Sequence, residues 1–228
     1  MSRASMDAVE SKLFRALLPD AVLVAEMAPA DALPGRLPAS EQSLIERAVE
    51  SRRLEFAAGR ELARTLLQRA GAGTDALLRD KDRVPTWPQA VVGSITHCRS
   101  LCAVALAPRA VSAGIGIDVE PARALDEVLH ASILRPAERG RIDALPSTLR
   151  PLGGILVFSI KEAVYKAIYP ERRIFLDFQQ VEIEFAGEDG FVAEVLVPGA
   201  SLPGHTRIHG RFRVADGHVA SAVVLPPV

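Results

Sequence analysis

The chain has 228 residues, 49% of them hydrophobic and 24% charged, enough apolar material for a substantial core and too much for a disordered segment. Its formal net charge of −1 lacks the basic excess of a dedicated nucleic-acid binder, so no nucleic-acid partner is expected. No apolar run reaches the length of a membrane span, and "MSRASMDAVESKLFRALLPD" has no signal-peptide core, so the expectation is a cytoplasmic protein without a membrane span.

Residues 6–18 read as a short helix and "AVLVAEM" (21–27) as a strand. A loop rich in Pro and Ala leads to Ser40, an N-cap residue type, and the pattern from there to Ala70 is helical. Leu44, Ile45, Ala48, Val49, Phe56, Ala63, Leu66 and Leu67 form its apolar stripe, Gly71 stops it, and a break near Gly59 is expected. Three β-like runs follow, at 90–97, 101–107 and 112–120. Where the first two runs meet, Cys98 and Cys102 are expected as reduced, buried thiols, since "HCRSLC" lacks further zinc ligands at the right spacing.

Residues 124–145 read as mostly helical, interrupted at Pro136, and a Pro- and Gly-containing loop precedes a helix at about 155–169. The remainder is β-rich: "QVEIEF", "FVAEVLV", "TRIHGRFRV" and "HVASAVVL". Each half carries a principal helix and about three strands. The expected fold is α+β: two similar lobes, 1–120 and 121–228, each a main helix packed on a small, mostly antiparallel sheet.

The chemistry concentrates in two apolar runs. In "GIGIDVE", Gly116, Asp118 and Glu120 share one face of a strand, opposite Ile115, Ile117 and Val119, which sets the two carboxylates roughly 6–7 Å apart. A solvated outer face accounts for this as well as a site does. The glycines, however, leave that face open to close approach, and two same-face carboxylates call for a cation such as Mg²⁺. In "FSIKEAVYKA", Phe158, Glu162, Tyr165 and Lys166 share a helix face, with Lys161 a third of a turn away. A solvated Glu–Lys pair predicts polar surroundings, whereas Phe158 and Tyr165 flank this one.

Other features are weaker alone. Arg52, Arg53 and Arg60 lean toward one side of the long helix, and Arg79, Lys81 and Arg83 crowd "LLRDKDRVP". Single surface charges are usually solvated, while guanidinium forks suit phosphate. His97, taken by itself, reads as a buried histidine satisfied by backbone groups. Ser94, His97 and Asp118 suggest a hydrolase triad but lack a G-x-S-x-G elbow, and "GIG" lacks the third glycine of a dinucleotide loop because Val119 stands there.

"GIDVEP", followed about forty residues later by "FSIKEAVYKA", resembles the paired signature of the 4′-phosphopantetheinyl transferases. "VPTWPQAVVGSITHC" and "RRLEFAAGRELAR" are similar to further segments of the two-lobed siderophore and secondary-metabolism type, which includes the enterobactin-pathway enzyme. The resemblance covers about residues 45–185 in order. It implies transfer of 4′-phosphopantetheine from coenzyme A, the substrate, to a serine of an apo acyl or peptidyl carrier protein, releasing adenosine 3′,5′-bisphosphate.

In that likeness Asp118, Glu120 and Glu162 hold Mg²⁺, with Mn²⁺ as the alternative ion. Glu162 is also the base and Lys166 stabilises phosphoryl charge. Arg52, Arg53, Arg60, Arg79, Lys81, Arg83, His97, Lys161 and Lys166 bind coenzyme A. The two-lobed type implies a monomer. An acidic carrier would dock on basic surface, for which "LRPAERGR" (134–141) and Arg172–Arg173 are the local candidates. Two other readings share these residues: another metal-dependent phosphoryl transferase or phosphodiesterase, and a non-catalytic module that binds coenzyme A or a carrier.

Overall fold

The computed structural model describes residues 12–73, 76–200 and 206–227. Strand β1 (Leu23–Met27) comes first, then one turn of helix α1 (Ala39–Gln42) and the 20-residue α2 (Glu50–Arg69). The long helix expected from Ser40 therefore breaks before Glu50, where Val49 is extended at φ −64° and ψ 157°, and not at Gly59. Gly59 lies inside α2, where a methyl group would stand 3.0 Å from Ile95 Cγ2, so glycine brings the helix onto the sheet. Of the helix expected at 6–18, residues 6–11 lie outside the described residues, and the rest holds only a 3₁₀ turn, Arg15–Leu17.

Strands β2 (Val91–His97) and β3 (Cys102–Pro108) join β1 in an antiparallel sheet of order β1-β3-β2. Alternation along β3 decides its two faces. Cys102, Val104 and Leu106 pack under α2 with Leu62, Leu66 and Leu67, while Ala103, Ala105 and Ala107 face the other way.

The second sheet has order β4-β8-β7-β6-β5 and is antiparallel throughout. Its strands are β4 (Gly114–Pro121), β5 (Val181–Ala186), β6 (Gly190–Val195), β7 (Arg207–Ala215) and β8 (His218–Leu225). Between β4 and β5 run α3 (Glu127–Ile133), α4 (Pro136–Asp143) and the 20-residue α5 (Gly153–Arg172). α5 covers this sheet, with Ile160, Val164 and Ile168 packed among Phe191, Val219 and Val223. The two sheets meet in a shared core of Ala103, Ala105, Ala107, Ile115, Ile117, Val119 and Ala222. The order is thus helix, sheet, sheet, helix.

β4 pairs with β8, Asp118 opposite Ser221, so by hydrogen bonding it goes with the later elements, although the expected division at 120/121 placed it with the earlier ones. Its other edge is not left bare. The Ser94 and Thr96 hydroxyls, from β2, accept the N–H groups of Ile117 and Val119 at 3.1 Å each. The face that the glycines were expected to leave open is filled by the protein's own helix. A methyl group at Gly116 would stand 1.7 Å from the Ala163 carbonyl oxygen, and one at Gly114 2.4 Å from that of Ala167. Glycine here brings α5 into direct contact with β4 and so carries Glu162 and Lys166 to the acids. Among the described residues no helix is long and apolar enough to cross a membrane.

Candidate active site

Asp118 is buried, and its Oδ1 accepts from Lys166 Nζ at 2.6 Å and from Thr96 Oγ1 at 3.2 Å. Its Oδ2 is equally buried and meets no hydrogen-bond donor. A buried carboxylate oxygen without a partner is costly, and a site that tolerates one has a use for it. Glu120 follows on the same face of β4, partly exposed. Burial, then the charge of Asp118, pushes its carboxyl up to about 7, with Glu162 adding and Lys166 opposing. Glu162 is held above the ordinary carboxylate range by burial and by Asp118, again against Lys166.

The three carboxylates therefore lie within one another's field, and only Asp118 bonds the lysine directly. As they stand, no three metal-ligating side chains among the described residues are gathered closely enough to enclose an ion. The donor chemistry nevertheless fits a hard dication: three carboxylates, mutual repulsion, and one buried oxygen left over.

A cavity of about 260 Å³ opens beside these acids, walled by both lobes. Arg60, on α2, is buried with its guanidinium 4.4 Å from the Phe56 ring centroid and its Nε unpartnered. Burial pulls its pKa down to about 10, with Glu41 opposing and the neighbouring arginines adding to the shift. Arg52 Nη1 meets His97 Nε2 at 2.6 Å and Glu55 at 3.2 Å. Burial, then Arg52, holds His97 below its usual pKa, which favours a neutral ring. Arg79, Arg83 and Lys166 complete the basic lining.

Some expected residues lie elsewhere. Arg53 and Lys81 are exposed and do not line the cavity. Lys161 does not grip a ligand, because it is buried and turned away. Its Nζ donates at 2.8 Å to Glu138 Oε2 and to the carbonyls of Ile133 and Phe178. Of the basic docking candidates, Arg139 is exposed, and the other arginines are committed internally. Arg135 and Arg141 pair with Glu182, Arg172 donates to the Gly199 carbonyl, and Arg173 pairs with Asp80. Ser94 bonds β4 and His97 pairs with Arg52, so no triad forms with Asp118. Cys98 and Cys102 are free and buried as expected, and burial pushes the Cys102 thiol up to about 12.

Sequence reasoning placed Tyr165 beside the Glu162–Lys166 pair but missed the aromatic wall that it builds. Tyr165 and Tyr169 stack at 4.9 Å on one face of α5 and line the cavity. Their four-residue spacing in "YKAIY" was the available signal. Trp87 lines the cavity as well, and a methyl group at Gly93 would stand 2.7 Å from its ring, so the two positions interlock.

A cleft lined by Arg52, Arg60, Arg79, Arg83 and Lys166 next to three carboxylates suits a polyanionic substrate, and comparison with known proteins names the class. The chain matches the 4'-phosphopantetheinyl transferase N-terminal domain over residues 40–107 and the 4'-phosphopantetheinyl transferase superfamily over residues 114–223, and it belongs to that superfamily. It is 36% identical over 195 residues to 4'-phosphopantetheinyl transferase Npt of Nocardia iowensis, covering 81% of this chain and 87% of that one. Against 4'-phosphopantetheinyl transferase PptT of Mycobacterium tuberculosis the identity is 35% over 201 residues, covering 84% and 88%. Enterobactin synthase component D of Salmonella austin is 32% identical over 123 residues, 54% of this chain and 50% of that one. The chain is therefore a transferase of the expected type, on the expected α+β fold.

Proposed function

We propose that this enzyme transfers the 4′-phosphopantetheine of coenzyme A to a serine of an apo acyl or peptidyl carrier protein, with a divalent ion, and releases adenosine 3′,5′-bisphosphate. The observation that carries this reading is the unpartnered, buried Oδ2 of Asp118, grouped with Glu120 and Glu162 and tied through Lys166 to an arginine-lined cleft. Asp118, Glu120 and Glu162 would hold Mg²⁺ or Mn²⁺, which when bound neutralises pyrophosphate and leaving-group charge.

The protein's own groups do the rest. Arg60, with Arg52, His97, Arg79 and Arg83, binds the substrate's phosphates. Glu162 takes the proton of the incoming serine hydroxyl, directly or through a water, and its raised pKa suits that task. The serine oxygen forms a bond to the β-phosphorus as the bond to adenosine 3′,5′-bisphosphate breaks. Lys166, at 2.6 Å from Asp118 and lining the cavity, is placed to donate to a phosphoryl oxygen as charge builds. Both walls of the cleft come from one chain, which supports action as a monomer.

The test is to incubate the protein with coenzyme A, Mg²⁺ and several apo carrier proteins and to weigh the carriers. The expected result is a phosphopantetheine adduct on at least one of them, lost when the metal is chelated. No adduct on any carrier from folded protein, or phosphodiester hydrolysis without a carrier, overturns the reading.

A further inference from the structure

We propose that Arg173 is a positioning residue: through Asp80 it holds the loop that presents Arg79 and Arg83 to the cleft, and so sets the affinity for the phosphate-bearing substrate. The affinity part rests on the coenzyme A reading above.

The loop at 79–87 is a tight return. Arg79 and Pro85 form a β-bridge, Asp80 N–H donates to the Val84 carbonyl at 2.9 Å, and Arg83 N–H to that of Asp80 at 3.0 Å. Arg83 sits in the left-handed region at φ 66°. Asp80 organises the turn with one carboxylate oxygen and anchors it with the other. Its Oδ1 accepts from the N–H groups of Asp82 and Val84, at 2.9 and 3.0 Å. Its Oδ2 accepts from Arg173 Nη1, and Asp82 lies 3.7 Å from the same nitrogen.

Arg173 is itself unusual. It is the C-cap of α5 and stands at φ 55°, where glycine is the ordinary choice. A strained residue kept at the end of the helix that carries Glu162 and Lys166 points to a task. Its guanidinium lies 5.7 Å from the Tyr169 ring centroid, and Tyr169 lines the cavity. Asp80 and Arg173 do not line that cavity. They stand behind it, around an adjoining space of about 290 Å³. The pair therefore ties a loop of the N-terminal half to a helix of the C-terminal half without facing the substrate directly.

Both groups are partly exposed, so the pair is worth only a modest factor. Trp87 is the only tryptophan in the chain and lines the cavity, so its emission reports coenzyme A binding without turnover. Arg173→Ala is expected to raise the Kd and KM for coenzyme A by about threefold to fivefold. The kcat and the KM for the carrier stay unchanged. Without ligand, hydrogen exchange should quicken at the amides of Asp82 and Val84.

Asp80→Asn separates positioning from direct contact, because asparagine keeps an oxygen for the turn and loses the ion pair. If Arg173 acted on the substrate as a cation, this variant would bind coenzyme A more tightly. Positioning predicts weaker binding, with the double variant no worse than the weaker single one. Tighter binding by Asp80→Asn, or unchanged Kd and unchanged exchange in Arg173→Ala, overturns the proposal. Failure of the unaltered protein to bind coenzyme A counts against the functional reading instead, while the exchange measurement still decides whether Arg173 holds the loop.

Discussion

Two lysines five residues apart on α5 show how differently one helix uses its two sides. Lys161 is 1% exposed and spends three 2.8 Å bonds on Glu138 and two carbonyls, which uses all the protons of an ammonium group. Lys166 is 26% exposed, holds Asp118 at 2.6 Å and reaches Thr96 only at 3.4 Å, and borders an open cavity. The first fastens the helix to α3, α4 and the stretch before β5. The second remains available to a ligand. Charge alone does not mark a functional lysine; unspent donors beside under-neutralised acids do.

The largest effect should come from the open side. Glu162→Gln is expected to lower carrier modification by about 10²- to 10⁴-fold, the range of a lost general base. The fold should survive, because one member of a mutually repelling acid set is neutralised. Intact-mass rates and a thermal melt check this, and full activity would remove Glu162 from the chemistry.

On the closed side the expected cost is stability rather than rate. Lys161→Met leaves the Glu138 carboxylate buried without its cation, a loss of about 3–5 kcal/mol. Adding Glu138→Gln should return part of it. The amide carries no buried charge and its oxygen keeps the Ile183 N–H, which Glu138 now accepts at 2.8 Å, but its N–H₂ cannot accept the Arg135 N–H that the other carboxylate oxygen now takes at 2.7 Å. Urea midpoints measure both variants. The contrast between the two sides would break if Lys161→Met kept its stability and lost transfer.

That contrast was not visible in the sequence. The strands and both long helices follow from periodicity and punctuation, which are local. The shared face of Asp118 and Glu120 follows from strand alternation alone. A helix such as α5, buried around most of its circumference, offers no solvent direction from which to orient a lysine. Lys161 and Lys166 fall on different sides of the helix by spacing, but which side is closed off is undecided until α4 and β4 are in place. The glycines of β4 signalled close approach correctly, but only tertiary packing shows that the visitor is α5. Sheet membership of β4 is non-local in the same way, since its partner β8 lies a hundred residues away.

The smallest effect sharpens the electrostatics of the open side. Glu120 titrates near 7 in the folded protein, above the ordinary carboxylate value, and Glu162 is shifted in the same direction. Without metal the folded state therefore holds protons that the unfolded chain releases from about pH 4.5 upward, so these acids make stability fall as pH rises toward 7. A divalent ion binds the ionised forms and reverses the sign. Mg²⁺ should thus raise Tm at pH 7.5 and do little at pH 5.5. Because Glu120 is partly exposed, solvent screening reduces the effect to about 1 kcal/mol, or roughly 2–4 °C for a chain of this size. Asp118→Asn should abolish the Mg²⁺-dependent rise, since it removes the charge behind the unpartnered buried oxygen. An equal Mg²⁺ response at both pH values would show that the ion binds somewhere other than these three acids.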